Sequence, residues 1–165
     1  MGTKKICSII DRFEKAPEYY GGKRSDLLAL LPEPARRILD VGCGNGDTWV
    51  DSPAEVYGIE RSSAAASSAR SHLRHVLEGD IEKLQFPYPE DFFDCIVCGD
   101  VLEHLFDPWG LLLRLRTHLA TGGFLLISLR KLETVLSLIR SARYSSRECI
   151  STCGFADAPF YSEGD

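Results

Sequence analysis

Apolar and polar positions along this chain fall into two kinds of block. Short, bounded apolar runs over residues 38–41, 55–59, 76–77, 93–98 and 124–129 have the length and flanks of buried strands. Between them lie stretches of helical character. One covers residues 26–31, with Ser25 as N-cap, Asp26 in the first turn, and Pro32 and Pro34 closing it. An alanine-rich one runs over 63–73 behind Ser62. A third opens at Asp107-Pro108, an N-cap acid followed by proline at the first helical position, and carries Leu111, Leu112, Leu115 and Leu119 on one face. Thr121-Gly122-Gly123 is its expected stop. A fourth is expected over 131–143, with Leu132, Val135, Leu136 and Ile139 on one side. Residues 1–22 show only a turn at Gly21-Gly22, and the tyrosines Tyr19 and Tyr20 read as surface packing. Beyond Tyr144 the pattern is weak.

The first apolar run ends in a special way. Residues 37–46 read R-I-L-D-V-G-C-G-N-G, a strand breaking into glycines at alternate positions. Glycine takes positive φ and lets a ligand lie directly on the backbone. A helix starting after such a turn aims its free N–H groups at whatever sits there. The stretch reads as the first βα turn of a nucleotide-binding α/β domain, with a glycine-rich surface loop as the competing reading. The helix that follows meets Pro53 soon after Asn45, so it holds at most about two turns. Glu60 closes the second strand 18 positions after Gly42. An acid there suits a carboxylate that accepts ribose hydroxyls. Asp80 falls where the third strand delivers a polar side chain to the crevice at the carboxyl ends of the strands.

Composition narrows the class. The chain has 165 residues, 44% hydrophobic and 26% charged, with a formal net charge of −5. That size suits one domain, and the acidic balance argues against a nucleic-acid backbone as main partner. No apolar run approaches the ~18–20 residues that span a bilayer, and the first ten residues are too polar for a signal peptide. A cytoplasmic location and no membrane partner are the expectation. Of six cysteines, Cys95 and Cys98 form C-x-x-C inside a strand. Side chains three apart on a strand point to opposite faces, so no shared metal is expected. The cysteines read as reduced structural thiols.

Taken together, the stretches ILDVGCGNG, YGIE, GDIEKL, FDCIVCGDVLEHLFDP and LATGGFLLIS resemble the class I S-adenosylmethionine-dependent methyltransferases, in order and spacing, over residues 24–129. GDVLEHL and GGFLLIS are similar to the subset that methylates small molecules. The resemblance implies a Rossmann-like, doubly wound, mostly parallel sheet in three αβα layers, abbreviated at the C-terminus. It implies one domain over 1–165, made of an N-terminal segment (1–23), a cofactor core (24–143) and an irregular tail (144–165). S-adenosylmethionine would be the cofactor, S-adenosylhomocysteine the product, and a small molecule the methyl acceptor. Asp40, Gly42, Cys43, Gly44 and Gly46 would cradle the methionine part and one side of the ribose. Glu60, with Arg61 beside it, would take the ribose hydroxyls. Asp80 and the Ile81 backbone would meet the adenine, and Gly99, Asp100 and Val101 would line the cofactor near its sulfonium.

His104 follows the fourth strand and is the candidate general base, since imidazole exchanges protons near neutrality. Packing or capping is the competing role. His72, His75 and His118 read as surface or packing residues. Two other readings stay open: a non-catalytic cofactor-binding module, and a nicotinamide-dependent oxidoreductase. The second is opposed by G-x-G-x-G in place of G-x-G-x-x-G and by the absence of a Tyr-x-x-x-Lys pair. Two departures from the family matter. The spacing from Gly46 to Glu60 clips the first helix by about one turn. After Leu129 there is no β-rich run for the family's final antiparallel strand pair, and Pro159 sits in the one apolar cluster of the tail. A sheet of five strands is expected, with at most one short edge strand from the tail. The open edge beside the fifth strand would then invite a homodimer.

Overall fold

The structure is a computed structural model that describes residues 5–11, 23–129 and 150–151. Its centre is one seven-stranded sheet, in which every pairing is parallel. The strands are β1 (Lys5–Asp11), β2 (Arg37–Val41), β3 (Glu55–Glu60), β4 (His75–Glu78), β5 (Phe93–Gly99), β6 (Leu119–Leu129) and β7 (Ile150–Ser151), in spatial order β4-β3-β2-β5-β6-β1-β7. β2 pairs with β3 on one side and with β5 on the other. The chain therefore winds outward from β2 through β3 to β4, then returns to start again at β5. Such a reversal opens a crevice between the carboxyl ends of the two strands it separates, here β2 and β5.

Helices cover both faces. The helices are α1 (Ser25–Leu28), α2 (Ser63–Ala69) and α3 (Pro108–His118). On one face Leu27 of α1, Ala66 and Ala69 of α2, and Trp49 pack over Ile38, Val56, Cys95 and Val97. On the other, Leu111 and Leu115 of α3 pack over Leu39, Val41, Ile59, Ile96 and Cys98. Alternate residues of β5 thus serve opposite layers. Cys95 and Cys98 belong to different layers, as their spacing requires. Burial on both faces, worth roughly 25 cal/mol per Å² of apolar surface, is what makes the central strands continuous apolar runs.

Several elements depart from the sequence expectation. α1 starts at Ser25, not Asp26, and Arg24 is the N-cap, because the Arg24 carbonyl already accepts the Leu28 N–H at 3.1 Å. α1 is also shorter than 26–31, ending at Leu28. α2 does begin behind Ser62, whose hydroxyl accepts from Ala65 N at 3.4 Å, but it stops at Ala69. Arg74 N is drawn to Val56 O at 2.8 Å and starts the approach to β4. Asp107 caps α3 by accepting from Gly110 N at 2.8 Å. α3 ends at His118, and strand pairing resumes at Leu119, before Thr121-Gly122-Gly123. Between the pairs Phe93↔Leu119 and Cys95↔Phe124 the register shifts, and Gly122 sits there at φ +82°. Those glycines make a bulge within β6, not a helix stop.

The edge beside β6 is not open. β1, in a segment where the sequence showed no element, pairs with it from Lys5↔Phe124 to Asp11↔Leu129. The dimer expected across that edge loses its premise, because the ladder positions are already taken. β7 then adds two residues to β1, so the described sheet has seven strands where five, with at most one short edge strand from the tail, were expected. The helix expected over 131–143, Tyr19-Tyr20 and Pro159 lie outside the described residues. Among the described residues no helix is long and apolar enough to cross a membrane.

Candidate functional site

The glycine turn leaves β2 at Val41 and is fastened to β3 by Gly42 N donating to Ile59 O at 2.8 Å. Gly42, Gly44 and Gly46 have φ of +75°, +55° and +81°, a region that L side chains resist. Of the three, Gly44 is the one with open space beside it. A Cβ built on it would meet no protein atom within 4 Å, so its exposed backbone faces open space where a ligand can lie. Gly58 has the opposite task. A Cβ there would come within 2.5 Å of Cys43 Sγ, so its bare backbone lets the turn settle onto β3. Past the turn, the expected short helix is a single 3-10 turn, Asp47–Trp49.

Glu60 reaches back across this turn. Its Oε2 accepts from Gly44 N at 3.0 Å and its Oε1 from Ser62 N at 2.7 Å. The strand-end acid is thereby placed over the glycine backbone. Asp40 lies beneath, 8% exposed, and accepts the Trp49 indole N–H at 2.6 Å. Burial pushes its carboxyl up to about 7; the Trp49 hydrogen bond and the Arg24 charge oppose that rise, and Glu60 adds to it. Burial, followed by the charges of Asp40 and Glu60, also pushes the Cys43 thiol up, which makes it a packing group and not a nucleophile. At the tip of β4, Asp80 accepts from Glu82 N at 3.1 Å and pairs with Lys83 at 3.3 Å. These two contacts, the first the larger, hold its carboxyl below the usual range.

A cavity of about 550 Å³ lies at the carboxyl ends of β2 and β5, with Asp40, the glycine turn, Glu60 and Gly99 in its wall. A second, about 200 Å³, adjoins it and carries Arg61, Asp80 and Ile81. Gly42, Glu60, Asp100, Val101 and His104 border both. Every site residue expected from the sequence therefore lines this continuous crevice. His104 stands exposed at the shared rim, on the 3-10 turn Leu102–His104. A larger groove of about 890 Å³ lies at the other ends of the strands, around Leu31, Arg37 and Glu55, away from the glycine turn.

Three side chains that build or brace the crevice escaped the sequence reading. Trp49 is the partner of Asp40. Arg24 lines the larger cavity and brings a guanidinium into a wall otherwise rich in carboxylates. Ser128, buried at the end of β6, bonds both Arg24 and Asp100. A lone arginine outside any periodic segment and a serine inside an apolar strand give no local pattern to read. The wall at Ile81 is braced from behind. Arg114 of α3 donates to the carbonyls of Ile81, Glu82 and Leu84, and Glu82 Oε1 accepts from Phe106 N at 3.0 Å and Asp107 N at 2.8 Å. Among the described residues no three metal-binding side chains converge.

Known proteins resemble this chain in sequence and fold. The family described as "Methyltransferase domain" matches residues 12–152. A ubiquinone biosynthesis O-methyltransferase of Acinetobacter baylyi is 29% identical over 123 residues, 68% of this chain and 52% of that protein. An uncharacterised methyltransferase of Schizosaccharomyces pombe is 34% identical over 104 residues, 53% of this chain and 37% of the other. Among solved structures, an S-adenosylmethionine-dependent methyltransferase of Mesorhizobium loti matches with a TM-score of 0.52 at 28% identity, over 63% of this chain and 52% of that one. A Thermotoga maritima protein described as a possible histamine N-methyltransferase has a TM-score of 0.58 at 22% identity, over 77% and 72%; at that identity the likeness speaks for the fold. The chain spans about half the length of the Acinetobacter relative.

Proposed function

This chain belongs to the methyltransferase-domain family, and from that premise we propose that it transfers a methyl group from S-adenosylmethionine to a small-molecule acceptor. The observation that carries the proposal is the bare Gly44 backbone beneath the Glu60 carboxylate at the β2/β5 crevice. The residues present fit the cofactor. The open side of Gly44 accommodates its backbone-hugging body, and Glu60 accepts from the ribose hydroxyls. Asp80 and the Ile81 backbone meet the adenine edge. Asp40 faces the methionine ammonium and Arg24 the methionine carboxylate, so the zwitterionic end meets one charge of each sign. When bound, the cofactor supplies a methyl on a sulfonium whose thioether leaving group is neutral.

The protein's own work is then mainly alignment of acceptor, methyl and sulfur. Val101 and Gly99 form the wall at the reacting end. His104 at the rim takes the proton of a hydroxyl acceptor, and the O-methyltransferase name of the Acinetobacter relative supports an oxygen as that acceptor. Incubating the protein with labelled S-adenosylmethionine and a metabolite pool, then following the label by mass spectrometry, tests the activity and names the acceptor. His104→Ala is expected to keep cofactor affinity while turnover falls by about 10²-fold or more. Loss of cofactor affinity in that variant would remove His104 from the acceptor side.

A further inference from the structure

Asp100 follows the last residue of β5 and stands at φ +55° without being a glycine. A non-glycine residue in that region at a cavity wall points to a constraint imposed by function. The constraint is visible. Asp100 N donates to Ser128 O at 3.0 Å and to Ser128 Oγ at 3.1 Å, and Ser128 Oγ donates to Asp100 Oδ1 at 2.7 Å. Asp100 Oδ2 accepts from Arg24 Nη1 at 3.1 Å, and Arg24 Nη2 donates to Ser128 Oγ at 3.3 Å. The Ser128 hydroxyl thus donates once and accepts twice, its full capacity, and all three bonds serve to fix Asp100 and Arg24 to each other. The side chains of the ion pair are 14% and 7% exposed, so the pair is largely withdrawn from water.

Arg24 also bonds Asp26 through Nε and Nη2. Asp26 lies two residues away on α1 and moves with Arg24, so it cannot locate the guanidinium relative to the sheet. Asp100 and Ser128, at the ends of β5 and β6, can. Resting on the cofactor reading above, we propose that Asp100 is a positioning residue: it acts through Arg24, holding the guanidinium at the methionine-carboxylate end of the crevice, and does not itself bind the cofactor. This revises the direct cofactor role that the family resemblance gives Asp100, since its charge is already paired with the Arg24 guanidinium while Ser128 holds its other oxygen.

The test compares two ligands in the full chain. S-adenosylhomocysteine has the amino-acid end; 5′-methylthioadenosine stops at the sulfur. Asp100→Asn keeps the shape and tolerates left-handed φ, but removes the charge. It is expected to weaken S-adenosylhomocysteine about tenfold and leave 5′-methylthioadenosine unchanged. Arg24→Met has the same selectivity, and adding Asp100→Asn to it costs nothing further. Equal weakening of both ligands, unchanged S-adenosylhomocysteine affinity, or effects that multiply in the double variant would overturn the proposal. A readout without ligand separates it from the cofactor reading. Hydrogen exchange at Arg24 Nη1, the nitrogen that donates to Asp100, followed by nitrogen NMR in the free protein, is expected to speed up at least tenfold in Asp100→Asn. Unchanged exchange would refute the positioning role even if both ligands bind, whereas a wild-type protein that binds neither ligand would fail the cofactor reading alone.

Discussion

Asp40 shows how much one residue's surroundings decide. Held in the free protein at a pKa of about 7, against 3.8 for the free side chain, it keeps a proton on folding that the unfolded chain releases. Between pH 4 and 7 the native state therefore binds more protons, and Asp40 makes stability fall as pH rises through that window. Asp40→Asn lacks this term. Its stability relative to wild type should improve by roughly 2–4 kcal/mol between pH 4 and pH 8, measured by urea unfolding; a pH-independent difference would mean that the carboxyl is not held neutral. Because an ammonium partner favours the ionised form, cofactor affinity should also drop as pH falls below about 7. Gly44 gives a second test. Gly44→Ala puts a methyl into space free of protein atoms, so its stability cost should stay at the roughly 1–2 kcal/mol of the left-handed backbone. Its cofactor affinity should fall by much more, as titration calorimetry would reveal. The glycine turn and Glu60 were readable from spacing because they sit at fixed offsets from strand ends, whereas the adenine role of Asp80 is implied only by the family resemblance. Trp49 as partner of Asp40 was not readable, since it depends on how the shortened turn folds back.

At the scale of elements, the crevice is two loops braced by one helix. Arg114 satisfies the carbonyls of Ile81, Glu82 and Leu84 and lies 4.6 Å from the centroid of the Phe86 ring. Glu82 ties the same loop to the start of α3. Arg114→Ala should cost about 1–3 kcal/mol in urea unfolding and weaken binding of the adenine part, since the Ile81 wall loses its brace; unchanged stability would show that water replaces the guanidinium without loss. The central apolar runs were legible as strands because they are buried on both faces, while β4 at the sheet edge buries only Val76 and part of Leu77. Element ends were less so. The ends at Ala69 and His118 are followed by backbone bonds to partners distant in sequence, Arg74 N to Val56 O and Phe92 N to His118 O. The β6 bulge uses the same Gly-Gly signal that ends helices, and only pairing with β5 tells the two apart.

For the whole molecule, the order β4-β3-β2-β5-β6 follows from winding outward twice from the glycine strand, and it puts every expected binding residue on one edge of the sheet. The layers and the doubly wound sheet were legible because βα alternation leaves few parallel topologies. β1 was not. Its short apolar stretch at Ile6, Ile9 and Ile10 precedes any helical pattern, and its neighbour β6 lies more than a hundred residues away in sequence. Activity, acceptor and partners all rest on one claim, that the crevice between β2 and β5 takes S-adenosylmethionine with Glu60 on its ribose. The most direct measurement is a calorimetric titration of S-adenosylhomocysteine into the wild-type protein and into Glu60→Ala. Saturable one-site binding is expected, weakened about ten- to a hundredfold by the substitution. Failure of the wild type to bind, or equal affinity in the two proteins, would contradict the claim.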